Sequence, residues 1–415
     1  MKILFRSLAV LLLAFAALGG AWAADKTEVV FWTFHTQSEG AFMQSLADDY
    51  SKVKPNVTVK FETIPQNDYM GARLTTAFAA DSGPDVFVMS PGDFLKYVNS
   101  GLAADLSAAF TKPIRDDFLP SSLDAVTVKG KIYAVPFEIE LLGLYYDKDI
   151  LKAAGVQPPK TWDELLAATK KLSTPTQPGL VLPTDSGYYQ NYVWYPFLWQ
   201  TGANVVDVKN MKGSFSGPGV EKSLKLWSDL IKAGAATKLT RGPWDPLVAD
   251  GTAPMQVVGT WIISNLERDY GTKNIGLVPI PVPAGGKAAT DAGGWKFMVN
   301  NKSKVKAEAI KFVMWAWAQN VDKPLEWCTS TKFAYSPRKS VMNAGKDIFS
   351  KGLRDIFTKD IYSTAIGEPR YPAEIVTMVG DALQSVMFGN ADPKVAAKKA
   401  NDKIDTFLKT FKGSL

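Results

Sequence analysis

Residues 134–151 read Ala-Val-Pro-Phe-Glu-Ile-Glu-Leu-Leu-Gly-Leu-Tyr-Tyr-Asp-Lys-Asp-Ile-Leu, an apolar, β-branched and aromatic run that holds two acids. It passes into a helix that starts near Asp147. Carboxylates inside an apolar strand are costly to bury unless something pairs with them. Glu138 and Glu140 fall on the same side of such a strand, because side chains alternate with a period of two. A strand that carries an acid across a cleft presents it to a ligand rich in hydroxyls.

The chain has 415 residues, too many for one ordinary core, and the expected organisation is two large domains. Hydrophobic content of 46% and charged content of 21% are those of a globular protein. Along the chain, strands alternate with helices. Glu28–Trp32, Val57–Ile64 and Asp85–Met89 read as strands, and Ala41–Tyr50 and Met70–Ala80 as helices. Asp81-Ser82-Gly83-Pro84 is a stop signal. Thr161-Trp162-Asp163-Glu164 opens a helix with a capping box. This alternation predicts an α/β protein, with mainly parallel sheets flanked by helices and ligands at the carboxyl ends of strands. The loops after Trp32 and Met89 are therefore candidate sites. Ile275–Pro283 is extended and Pro-rich, a candidate return crossing.

Residues 1–23 read as a secretory signal. Lys2 and Arg6 are its basic end, Leu8–Leu18 its apolar stretch, and Ala21-Trp22-Ala23 the cleavage site. The apolar stretch is shorter than the ~20 residues that span a bilayer. Cys328 is the only cysteine, so no intramolecular disulfide forms. Ala24-Asp25 stands where a lipoprotein has a cysteine, which predicts a freely diffusing periplasmic protein without a lipid anchor. The net charge of +6 is scattered in pairs such as Lys170-Lys171, with no basic stripe interleaved with aromatics, so nucleic acid is not an expected partner.

Several motifs follow one another in a fixed order. They are Gly83-Pro84-Asp85-Val86, the Pro136–Lys148 stretch, Thr161-Trp162-Asp163-Glu164, Gly259-Thr260-Trp261, Ala292-Gly293-Gly294-Trp295 and Ser336-Pro337-Arg338. In that order the chain resembles the extracellular solute-binding proteins of carbohydrate ABC transporters, the family that includes maltose-binding protein. The resemblance implies a two-lobed periplasmic-binding-protein fold of type II, with the ligand in the inter-lobe cleft. Lobe one is expected over 24–137 and 281–322, and lobe two over 142–277 and 325–415. It implies a monomer that captures a mono- to oligosaccharide or sugar glycoside and delivers it to membrane permease subunits, with no cofactor and no metal.

By the same resemblance, Glu140 accepts hydrogen bonds from sugar hydroxyls, with Glu138 beside it. The second lobe's stacking aromatic is matched by Tyr192 or Tyr195. The loop holding His35, Gln37 and Ser38 supplies polar contacts, and Ser90, Gly92 and Asp93 occupy the equivalent loop after the next buried strand. Ser90 and Asp93 also suit helix capping. Sugars lay apolar C–H faces on aromatic rings while their hydroxyls need polar partners, which points to Trp261 and Trp295. Gly293 and Gly294 let backbone approach a ligand closely. Arg338 offers a planar fork for vicinal hydroxyls or an anionic group.

Two alternatives remain open at this level. One is the same fold binding a charged solute, a sugar phosphate, sugar acid, sulfonated sugar glycoside or polyamine; an Arg338 that faces the cleft without a carboxylate partner implies a phosphate, carboxylate or sulfonate on the ligand. A secreted glycoside hydrolase is the remote one. Glu138 and Glu140 lie on one side of a ligand, whereas glycosidase carboxylates flank the scissile bond. Gly213-Ser214-Phe215-Ser216-Gly217 has phenylalanine where a nucleophile elbow needs serine. A non-enzyme is therefore expected.

Overall fold

The strands Thr27–Thr33 and Val57–Thr63 pair in parallel through seven registered positions, and Val86–Met89 joins the other edge of the first strand, also in parallel. In this computed structural model, residues 26–236, 238–239 and 241–415 are described; the expected signal segment lies outside them. Two antiparallel strands complete the first sheet. Lys296–Val299 pairs with Val86–Met89, and Val135–Pro136 pairs with Lys296 and Phe297. The strand Val86–Met89 is wholly buried, as its unbroken apolar sequence requires. Before it, Asp85 accepts from the Val30 amide at 2.8 Å and from Ser303 Oγ at 2.6 Å, which locks the edge of the sheet.

The second sheet is organised around Glu140–Asp147. Met255–Gly259 and Ile275–Val278 both pair antiparallel to it, as does Thr290–Gly293, which pairs in parallel with Ala365–Gly367. The expectation of a mainly parallel sheet in each lobe is met only in part: in the first, three neighbouring strands are parallel and two more join by antiparallel pairing. The second is mixed, because its central strand arrives from the first lobe and takes antiparallel neighbours.

The two sheets are stitched by short crossings. Phe137–Ile139 leads from the first sheet into the second, and Gly294–Trp295 leads back. The return crossing is therefore not at Ile275–Pro283, and residues 281–293 do not belong to lobe one. Val282 bridges Thr161, and Ala289 packs in the second core. Gly294 has φ +110°, and a Cβ there would lie 2.3 Å from the Glu138 carbonyl oxygen, so only glycine fits where the crossings touch. The boundary at 325 moves as well. Trp327 packs on Phe42, Phe137 and Trp317, and Tyr335 bridges Ile139, so this stretch stays with the first lobe and the crossing.

Each lobe has its own apolar core. In the second, the helix Trp162–Leu172 starts with the expected capping box between Thr161 and Glu164. The aromatic run forms the helix Tyr188–Trp199, buried on nearly every face. The helices Pro218–Lys232, Ala373–Met387 and Pro393–Thr410 cover that core. No described helix is long and apolar enough to cross a membrane.

Candidate functional site

A cavity of about 450 Å³ opens between the lobes, within the range of small-ligand sites. Its first-lobe wall is built from the carboxyl ends of two neighbouring parallel strands. Thr27–Thr33 leads into the loop of His35, Gln37 and Ser38, and Val86–Met89 leads into Ser90 and Asp93. Ser90 also caps the next helix, its Oγ accepting from the Asp93 amide at 3.3 Å. The crossings supply Glu140, Gly294 and Trp295. The second lobe contributes Tyr192 and Trp261. These ten positions, drawn from six separate stretches of sequence, meet in one place.

Five other expected contacts do not line the cavity. Gly92 and Gly293 abut the rings of Tyr188 and Tyr192, and a Cβ on either glycine would lie 2.6 Å from them. They seat the aromatic wall from behind. Tyr195 shares the helix face of Tyr192 but sits almost a turn deeper, stacked on Trp199 and edge-on to Tyr371 inside the second core. Glu138 is 1% exposed and lies behind Glu140. Arg338 is placed away from the cavity altogether. Its Nε donates to Asp117 at 2.8 Å and its Nη1 to the carbonyls of Trp317 (2.8 Å) and Asn320. The guanidinium fork is occupied by first-lobe structure.

The cavity also contains residues that the sequence did not single out. Tyr188 and Tyr189 precede Tyr192 on the same helix, and Trp244 and Asp245 come from a loop of the second lobe. Tyr189 and Tyr192 are stacked at 6.2 Å between centroids, and Tyr189 meets Trp244 edge-on at 5.7 Å. Trp261 Nε1 donates to the Trp244 carbonyl at 2.9 Å, which ties this aromatic wall together. On the opposite side, Phe34 and Trp295 pack at 4.3 Å.

Lys332 is the most consequential addition. Its Nζ is 2.5 Å from Glu140 Oε1 and 3.1 Å from Glu138 Oε1, and all three side chains are buried. Glu138 is held further by Trp327 Nε1 at 2.6 Å. Burial alone would lower the lysine's proton affinity, but Glu138 and Glu140 outweigh it and hold Lys332 above its ordinary value. Burial pushes the Glu140 carboxyl up to about 7, against the pull of Lys332. Burial, with Lys332 nearby, holds His35 well below the ordinary histidine range, so the imidazole is neutral. Both of its ring nitrogens are buried without a hydrogen-bond partner among the described residues, leaving one donor and one acceptor for a ligand.

A second charged group sits behind the tyrosines. Tyr188 donates to Glu368, whose carboxyl is pushed by burial up to about 8. Asp291 is fully buried beside it and raised well above its ordinary value by burial and by Glu368. Lys296 is pushed down to about 8 by burial, and its Nζ donates to the Gly294 carbonyl at 2.7 Å. Among the described residues, no three or more His, Cys, Asp or Glu side chains are grouped to hold a metal ion. Aromatic faces on two walls, carboxylates and a neutral imidazole between them, can hold a compact polar molecule with apolar faces.

A two-lobed α/β molecule with a cleft of this kind is a ligand receptor. Residues 35–332 match the family described as bacterial extracellular solute-binding protein, and the chain belongs to that family. A binding protein of Brucella abortus is 24% identical over 413 residues, covering 96% of this chain and 98% of that one. The maltotriose-binding protein of Pyrococcus abyssi is 27% identical over 256 residues, 61% of this chain and 53% of that one. Among solved structures, the GacH receptor of Streptomyces glaucescens, studied unliganded and with acarbose, superposes with a TM-score of 0.80 at 25% identity. That match covers 93% of this chain and all of that one. The family is a solute-binding one, and its location is periplasmic or extracellular.

Proposed function

We propose that this protein is the sugar-capturing subunit of an ABC importer, taking a mono- to oligosaccharide or sugar glycoside into its inter-lobe cleft and handing it to membrane permease subunits. One observation carries the reading. Trp261, Tyr189 and Tyr192 on one wall face Phe34 and Trp295 on the other, with Glu140 and His35 supplying polar contacts between. Sugars need that combination of apolar platforms and hydrogen-bonding groups. The sugar-binding names of a relative and of a superposable structure support it.

The charges favour this reading over a phosphate, carboxylate or sulfonate ligand. Among the described residues lining the cavity, Lys332 is the one lysine or arginine, and Glu138 and Glu140 already neutralise it. Arg338 is committed to Asp117. An anion entering the cleft would meet carboxylates with no free cation on the lining to balance it.

The finer points of the reading are export by residues 1–23, free diffusion in a periplasm as a monomer, lobes that close over the ligand, and no catalysis. A thermal-shift screen of neutral and amine-bearing sugars tests the core of it. A ligand at one hundred times its Kd stabilises the native state by about 2.7 kcal/mol. At least one sugar should raise the melting temperature and be recovered unchanged. A full sugar panel without any shift, or turnover of the bound sugar, would overturn it.

A further inference from the structure

The carboxyl groups in and directly behind the cleft outnumber the cations. Asp93 and Glu140 face the cavity, as does Glu39 on the rim beside His35. Behind them stand Glu138, Asp291 and Glu368, all buried. Against these six stand two ammonium groups, Lys332 and Lys296, and Lys332 is held between Glu138 and Glu140. Asp245 also lines the wall, but it is shared with Arg241 at 3.4 Å. Such a surplus is unfavourable in an enclosed site unless protons or a cation balance it.

Asp93, Asp291 and Glu368 gather at one end, where Lys296 is the one ammonium that acts on Glu368. Asp93 lies in the first turn of the helix Pro91–Asn99, where the helix dipole favours an acid, but Ser90 does the capping. The Asp93 carboxylate makes no hydrogen bond or ion pair among the described residues. Next to it, Gly92 brings the backbone against Tyr188. Tyr188 in turn donates to Glu368. Glu368 is 9% exposed, and its Oε2 is buried without a hydrogen-bond partner. Tyr188 and Tyr192 are stacked at 6.2 Å beside these acids. Carboxylates next to aromatic rings are the surroundings that attract an ammonium group.

We propose that the captured sugar carries a basic nitrogen, as an amino sugar or an amine-bearing glycoside, and that its ammonium lodges at the Asp93–Tyr188–Glu368 end of the cavity. This rests on the sugar-binding reading above and narrows it to a substrate class. Burial raises the Asp93 carboxyl above its ordinary range and takes Glu368 up to about 8, against the pull of the Tyr188 hydroxyl and of Lys296, with Glu140 and Asp93 adding to the rise. A bound ammonium relieves this crowding, and a hydroxyl in the same place does not.

The test is calorimetry on the whole protein with matched pairs: glucose and glucosamine, galactose and galactosamine, cellobiose and the β-1,4-linked glucosamine dimer. In at least one pair the amine should bind about tenfold tighter or better, equivalent to about 1.4 kcal/mol. N-acetylation of that amine, which removes the charge, should abolish the preference, and Asp93→Asn should cut it severalfold. Hydroxyl members binding as tightly as their amines or tighter would overturn the inference and leave the sugar reading standing. No binding by any member, together with an empty sugar screen, would remove the sugar reading itself. The wild-type pairs decide the matter whatever the folding yield of the variant.

Discussion

Lys332 approaches Glu140 to 2.5 Å at the floor of the cleft, joining the segment after Trp327 to the strand that crosses between the lobes. The lysine also meets Glu138, so removing it strands two buried carboxyls at once. Breaking a buried pair by deleting one partner costs about 3–5 kcal/mol. Lys332→Met should therefore lower the urea midpoint strongly. A variant within about 1 kcal/mol of wild type by the same measurement would mean that the pair is dispensable.

The buried carboxyls set a pH dependence with a definite sign. Glu140, at about 7, and Glu368, at about 8, hold protons in the folded state that an unfolded glutamate, near 4.3, has already released. Their contribution is complete below the unfolded value and is lost as pH rises through the folded values. Below about pH 6.5 the buried neutral His35 works the other way, because the unfolded imidazole takes up a proton there. The clean window is pH 6.5 to 8. Unliganded stability should fall across it, by at most about 1.4 kcal/mol per pH unit for each carboxyl. Lys296, pushed down to about 8, offsets part of this near the upper end. Glu368→Gln should flatten the slope; an unchanged slope would show that Glu368 is not the titrating group.

Trp261 is held by its hydrogen bond to the Trp244 carbonyl and faces the tyrosine wall, with Tyr192 at 6.4 Å. Truncating an aromatic anchor of this kind costs on the order of 2–4 kcal/mol of binding. Trp261→Ala should weaken the sugar found by screening by that amount in calorimetry. A loss of about threefold or less, well short of the hot-spot range, would remove the stacking role.

Residues whose chemistry is visible locally were legible in the sequence: strand-end loops, a glycine-tryptophan turn, acids in an apolar strand. Lys332 was not. It lies in the unremarkable stretch Cys328–Phe333, and only the fold brings it under Glu140. Tyr188, Tyr192 and Tyr195 share one face of a helix that is apolar nearly all round, so periodicity gave no depth along it, and Tyr195 proved to lie past the floor. The return crossing was misplaced because Ile275–Val278 is extended and followed by prolines, features that serve equally well for a strand beside Glu140–Asp147. Arg338 follows a Ser-Pro turn and is buried, but its side chain runs to Asp117 rather than to the cleft.

That placement gives Arg338 a structural role with its own test. The side chain is nearly fully buried and serves a carboxylate and two carbonyls. Arg338→Gln should cost about 3–5 kcal/mol of stability by leaving Asp117 and the carbonyls short of donors. The fraction that folds should bind sugar within about threefold of wild type, a difference under about 1 kcal/mol. Normal stability with a large loss of affinity would return Arg338 to the binding site.

Arg370 links the lobes away from the ligand. It follows Glu368, whose amide donates to the Ala292 carbonyl, and precedes Tyr371, which lies in the second core. Its guanidinium reaches the other lobe, donating to the carbonyls of Ala125 at 3.3 Å and Thr127 at 3.1 Å and lying over the Phe94 ring at 5.9 Å. None of these groups lines the cavity, so a sugar does not touch them. Their energy still enters binding, because a receptor whose competent state is partly populated has an apparent Kd raised by the inverse of that population. Hydrogen bonds to a charged group contribute roughly 1.5–3 kcal/mol. If the juxtaposed arrangement of the lobes is the competent one, Arg370→Ala should weaken binding by about ten- to a hundredfold. Small-angle scattering of the unliganded variant should show a larger radius of gyration, with saturating sugar restoring the wild-type profile. Scattering and affinity that both match wild type would show that Arg370 does not hold the lobes together.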